Sequence, residues 1–79
     1  VVCNAGIRAD APFPSIKPDD WDRVLRTNLD SFYNVMQPLT MPIIRARRGG
    51  RVVAMTSLAG LTGNRGQASY AASKAAVIW

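Results

Sequence analysis

Apolar residues recur at spacings of three and four from Trp21 through Val24, Leu25, Leu29, Phe32, Val35, Met36, Leu39 and Ile43, predicting one long amphipathic helix with a single buried stripe. Pro18, followed by Asp19 and Asp20, suits a first helical turn and places the start there. Pro38 and Pro42 each lack the N–H that a helix interior uses, so a bend or break is expected at both. Arg45, Arg47 and Arg48 favour the negative end of the helix dipole, and Gly49-Gly50 supplies the stop.

The flanking segments are shorter and follow other patterns. Val1-Val2-Cys3 is an apolar run stopped by Asn4-Ala5-Gly6, read as the end of a strand within which the chain begins. Arg8 to Pro18 holds Pro12 and Pro14 and has the composition of a loop. Val52-Val53-Ala54-Met55 fits a strand buried on both faces, as in a parallel sheet, with Thr56-Ser57 as its polar exit. Leu58 to Gln67, with Gly60, Gly63, Asn64 and Gly66, reads as a loop, and Ser69 to Trp79 as an Ala-rich helix. Strand, long helix, strand, loop and helix make an α/β chain: one βαβ unit plus the next helix, a piece of a Rossmann-like doubly wound parallel sheet. Both edges of the strand pair are then left open.

Composition narrows the partners. A chain of 79 residues, 48% of them hydrophobic, can hold at most one small core and is marginal by itself. Ten Lys and Arg against five Asp give a net charge of +5, and Arg45, Arg47, Arg48 and Arg51 cluster without interleaved aromatic residues, which argues against nucleic acid. The single Cys3 has no internal disulfide partner, which makes a cytoplasmic setting the expectation. No apolar stretch is long enough to span a bilayer, so no membrane partner is expected. Histidine is absent, which removes His-based triads and the commonest zinc ligand, and no metal site is expected.

Candidate chemistry gathers at the strand ends and on the last helix. Tyr70 and Lys74, four apart, share a helix face. Tyrosine is a poor base at its reference pKa of about 10, but an ammonium held nearby favours the phenolate. By itself the pair reads more readily as two ordinary exposed side chains. Ser57 stands at the C-terminal end of the second strand, where doubly wound folds place ligands and where a serine also commonly caps a turn. Asn4-Ala5-Gly6 ends the first strand at the same edge, where glycine admits a ligand that a side chain would block. Asn28 interrupts the apolar stripe, and a buried amide there must be hydrogen-bonded, with a bond to backbone across the core as the plain structural reading.

Together these residues resemble the short-chain dehydrogenase/reductase family over essentially the whole chain. Cys3-Asn4-Ala5-Gly6 is similar to the family's Asn-Asn-Ala-Gly motif with Cys3 in place of its first Asn, and Thr27-Asn28-Leu29 to its catalytic-asparagine segment. Ser57 and Tyr70-Ala71-Ala72-Ser73-Lys74 complete an Asn-Ser-Tyr-Lys tetrad in the family's order. Within the family, residues 4–10, Asp20-Trp21-Asp22 and the stretch from Gly63 to Tyr70 look most like 3-oxoacyl-(acyl carrier protein) reductases.

The resemblance implies a nicotinamide-dependent reductase of 3-oxoacyl thioesters, carried by acyl carrier protein or CoA, with NADP(H) preferred to NAD(H). Tyr70 would donate a proton to the carbonyl oxygen, Ser57 orient the substrate, Lys74 bind the nicotinamide ribose, and Asn28 hold a water linking Lys74 to solvent. Asn4, Ala5 and Gly6 would lie beside the cofactor. Arg47 or Arg48 matches the position that docks the acidic carrier protein, although a basic last turn is favourable with no partner at all. A homotetramer and a cytoplasmic location follow from the same resemblance. It also places the Gly-rich phosphate loop before Val1 and the pocket-closing strands after Trp79. Residues 1–79 are thus expected to be the central, catalytic part of one larger domain and to be inactive alone. A dehydrogenase of the same family acting on a sugar, steroid or simple alcohol would use the same tetrad.

Overall fold

The computed structural model describes all residues, 1–79. Strand β1 (Val2–Cys3) leads through a loop with one 3₁₀ turn (Phe13–Ser15) into helix α1 (Pro18–Leu25), a π-helical stretch (Arg26–Asp30) and helix α2 (Ser31–Ala46). Strand β2 (Val53–Ala54), the short helix α3 (Ala59–Thr62) and helix α4 (Ala68–Ile78) follow. The strands pair in parallel, Val2 opposite Val53 and Cys3 opposite Ala54. Val53 N–H donates to Val1 O at 2.8 Å and Met55 N–H to Cys3 O at 3.1 Å, so pairing extends one residue past each strand. This is the βαβ unit that the pattern predicts, and it brings the ends of β1 and β2 side by side.

Helix α1 begins at Pro18 with Asp19 and Asp20 in its first turn, where the missing proline N–H costs nothing and the carboxylates meet the positive end of the dipole. The prolines further on do not break the run: α2 passes through both Pro38 and Pro42. Asn34 and Pro38, whose carbonyls lose their partners, lie on the exposed side of the helix, where water substitutes. The hydrogen-bond ladder changes earlier instead, at Arg26–Asp30, around the buried Asn28. The C-terminal stop also differs from expectation. Arg47 adopts the left-handed conformation at φ 52° and its N–H donates to Ile44 O, so α2 ends before Gly49 is reached.

The expected stripe is buried only in part. Val24 and Met36 are buried and Leu25, Leu29 and Ile43 half-buried, but Phe32, Val35 and Leu39 are exposed, because a pair of two-residue strands is too small to cover a helix of sixteen residues. The expectation that the second strand is buried on both faces fails for the same reason: Val52, Val53 and Met55 are exposed, each strand having one neighbour. The radius of gyration is 14.4 Å, against about 12 Å for a compact chain of this length. No helix is long and apolar enough to cross a membrane.

Between Leu58 and Gln67 the chain is not all loop. Ala59–Thr62 forms α3, with the Ala59 N–H donating to Ser57 Oγ at 3.2 Å. Helix α3 lies directly against α4 at Gly60, where an added Cβ would sit 2.8 Å from both Ala75 N and Lys74 C. Only glycine allows so close an approach, and the contact fixes the height of α4 beside the end of β2. Gly60→Ala in the full-length protein is therefore expected to destabilise by about 1–3 kcal/mol. Urea denaturation reads this as a lowered midpoint, and a midpoint equal to the parent's would mean that the two helices accept a methyl group.

Candidate active site

Asn28 is 4% exposed, and its amide makes three hydrogen bonds. Its Oδ1 accepts the Ile7 N–H at 2.8 Å, and its Nδ2 donates to Ile7 O at 2.9 Å and to Ser73 Oγ at 3.0 Å. The structural reading of this residue, an amide bonding backbone across the core, is thus the observed one. By pairing both polar groups of Ile7, it pins the loop that follows Asn4-Ala5-Gly6 against α4.

Lys74 is 5% exposed, and no carboxylate pairs with it: the ion pairs are Arg8–Asp10, Arg23–Asp20 and Arg26–Asp22, all at the surface. Its Nζ donates to Met55 O at 2.9 Å and lies 5.7 Å from the centre of the Tyr70 ring. A carbonyl dipole and an aromatic face thus compensate the buried charge. The Thr56 hydroxyl donates to Lys74 O at 3.0 Å and ties this turn of α4 to the end of β2.

Two clefts meet at the half-buried Tyr70. One is lined by Asn4, Gly6, Met55, Thr56 and Lys74, the other by Ser57, Leu58, Asn64 and Gln67, while Tyr70 and Arg8 line both. Ser57 Oγ accepts the Ala59 N–H, which leaves the hydroxyl proton to donate elsewhere. A side chain at Gly6 would begin 3.3 Å from Lys74 Nζ and 3.5 Å from Asn28 Oδ1, filling the polar space between them. An ammonium with N–H groups beyond its one protein bond, facing a space that glycine keeps open, fits the hydroxyls of a nicotinamide ribose. The fold therefore brings Asn4, Gly6, Tyr70 and Lys74 onto one cleft and Ser57 onto the adjoining one, with Asn28 behind. Ala5 is exposed and lines neither.

Three further residues lie within the quoted motifs but are given no role by them. Gln67 is buried at the start of α4, accepting from Asn64 Nδ2 at 2.9 Å and donating to Asp10 Oδ2 at 3.4 Å. Arg8 is exposed at the junction of the clefts. Ser73 is completely buried and joins Asn28 to the Tyr70 turn. The available signal for Ser73 is its spacing of four from Ser69, which is also buried, marking a small polar stripe on the inner face of an Ala-rich helix.

A parallel strand pair with helices packed beside it is a piece of a Rossmann-type α/β fold, and the comparison with known proteins agrees. The sequence profile of the short chain dehydrogenase family matches residues 1–79, and this chain belongs to that family. It is 60% identical over 78 residues to a 3-oxoacyl-[acyl-carrier-protein] reductase of Aggregatibacter actinomycetemcomitans, covering 99% of this chain and 32% of that protein. It is 46% identical to nodulation protein G of Rhizobium sp. (strain N33) and 45% identical to a 3-oxoacyl-[acyl-carrier-protein] reductase of Thermotoga maritima, in each case over 99% of this chain and 31% of the relative. The chain thus spans about a third of the length of these relatives.

Removing the Asn28 side chain strands the Ile7 N–H and C=O in the interior. Asn28→Ala is accordingly expected to destabilise the full-length protein by about 2–4 kcal/mol. Chemical denaturation measures this, and a change below about 0.5 kcal/mol would show that these bonds are replaced by water at no cost.

Proposed function

We propose that the whole protein reduces a 3-oxoacyl thioester to its 3-hydroxyacyl form. The observation that carries this reading is the position of Tyr70 at the meeting of two clefts, with the buried Lys74 ammonium 5.7 Å from its ring centre on one side and Ser57 on the other. The thioester is suggested by the relatives named as 3-oxoacyl-[acyl-carrier-protein] reductases.

In this reading Ser57 donates a hydrogen bond to the substrate carbonyl and holds it beside Tyr70. The Tyr70 hydroxyl gives its proton to the carbonyl oxygen as the carbon accepts hydride, so the C=O bond becomes CH–OH and the charges balance. NADPH, in preference to NADH, would supply that hydride when bound. Lys74 holds the ribose hydroxyls and keeps a positive charge beside the phenolate left on Tyr70. Asn28 contributes through a water that returns a proton toward Lys74, and Asn4, Ala5 and Gly6 form the wall beside the nicotinamide. The assignment of Ala5 has the least geometric support, since it lines neither cleft.

Arg45, Arg47, Arg48 and Arg51 are exposed where α2 ends, and this basic edge fits an acidic carrier protein, with Arg47 or Arg48 as its contact. A cytoplasmic homotetramer completes the proposal, and the exposed Phe32, Val35, Leu39 and Ile44 of α2 are apolar surface suited to burial in such an assembly.

Two measurements on the full-length protein test this reading. Tyr70→Phe removes the proton donor and should lower kcat by at least about 100-fold while NADPH affinity stays within about threefold; turnover equal to the parent's would reject the mechanism. Arg47→Glu combined with Arg48→Glu should raise KM for the carrier-protein thioester by about tenfold and leave the CoA thioester unaffected. Equal effects on both substrates would remove these arginines from carrier-protein docking.

A further inference from the structure

Ser73 is 0% exposed and takes part in two hydrogen bonds at once: Asn28 Nδ2 donates to its Oγ at 3.0 Å, and its own O–H donates to Tyr70 O at 2.8 Å. With the Ile7 pair, this makes one continuous chain from the loop after β1, through the π-helical stretch, to the turn of α4 that carries Tyr70. The chain has a fixed direction. Because the single hydroxyl proton is committed to the Tyr70 carbonyl, Oγ accepts from the Asn28 nitrogen, in the same orientation that the Ile7 N–H and C=O impose on the amide. Its oxygen then stays on the side of the Ile7 N–H, 3.5 Å from where a Gly6 side chain would begin and beside the space that Lys74 Nζ approaches to 3.3 Å. The Asn28 oxygen and the Lys74 ammonium thus border the same space beside Gly6.

We propose that Ser73 is a positioning residue for the reduction, acting through Asn28 and the Tyr70 turn. The inference rests on the reading of Tyr70, Lys74 and Asn28 given above. By bonding the Asn28 amide and the Tyr70 carbonyl at once, the Ser73 hydroxyl ties the Tyr70 turn of α4 to the loop after β1. Without it an amide N–H is left unpaired in the interior, and the amide gives up part of its Ile7 pairing to find a new partner. A shift of that kind displaces the Tyr70 hydroxyl relative to the carbonyl it protonates and leaves cofactor and thioester binding in place.

The test uses the full-length enzyme with NADPH and acetoacetyl-CoA. Ser73→Ala is expected to lower kcat about tenfold with both KM values within about twofold. Ser73→Cys, close in volume but a weaker donor and acceptor, should fall between alanine and the parent, and it carries the test if the alanine variant does not fold. In the Asn28→Ala background the further change Ser73→Ala should cost less than about twofold, because the residue it acts through is gone. A kcat within about twofold of the parent for whichever of the two serine variants folds overturns the proposal. So does a loss of the same size in the Asn28→Ala background. If Tyr70→Phe is inactive while Ser73→Ala is unimpaired, this inference alone fails; if Tyr70→Phe is fully active, the mechanism itself fails.

Discussion

The Asn28 amide is the joint on which the arrangement depends. It lies in a widened turn between α1 and α2, yet its three hydrogen bonds go to Ile7, which follows β1, and to Ser73, in the middle of α4. Each such bond contributes only about 1 kcal/mol net, but leaving a buried partner unpaired costs up to about 3 kcal/mol. The three segments are therefore held together less by what they gain than by what separation would strand. The π-helical stretch has the same origin: the ladder changes where a side chain must turn inward to meet backbone from another segment.

The interior built around that joint is unusually polar. Val24, Met36 and Ala59 are its buried apolar residues, while Asn28, Gln67, Ser69, Ser73 and Lys74 are buried beside them, and no buried side-chain polar atom lacks a partner. A buried ammonium without a carboxylate is costly to desolvate, and here it is offset by the Met55 carbonyl and the Tyr70 ring. A carboxylate would neutralise the charge. A carbonyl and an aromatic face leave it without a neutralising partner.

The apolar surface of α2 belongs to a different scale of organisation. Phe32, Val35, Leu39, Met41 and Ile44 are exposed, and the strands beneath present single-neighbour edges, as suits a chain that spans about a third of the length of its relatives. The short strand pair nonetheless sets the ends of β1 and β2 side by side. That placement is what puts Asn4, Gly6 and Thr56 on one cleft with Lys74.

Local chemistry in the sequence determined much of this protein. Pro18 with its acidic neighbours fixed the start of α1, β-branched residues marked β2, and the order of Asn28, Ser57, Tyr70 and Lys74 carried the family. These features are legible because capping, periodicity and one-turn spacing act within a few residues of each other. What the tertiary structure alone decided involves partners far apart in the chain or surfaces that local pattern does not weigh. Pro38 and Pro42 are tolerated because their freed carbonyls face water, and α3 forms within an apparent loop because Gly60 lets it press on α4. Ser73 gains its place from a partner 45 residues away. Phe32, Val35 and Leu39 of the predicted stripe are exposed because periodicity tells which face of a helix is apolar, not whether enough structure lies opposite to cover it.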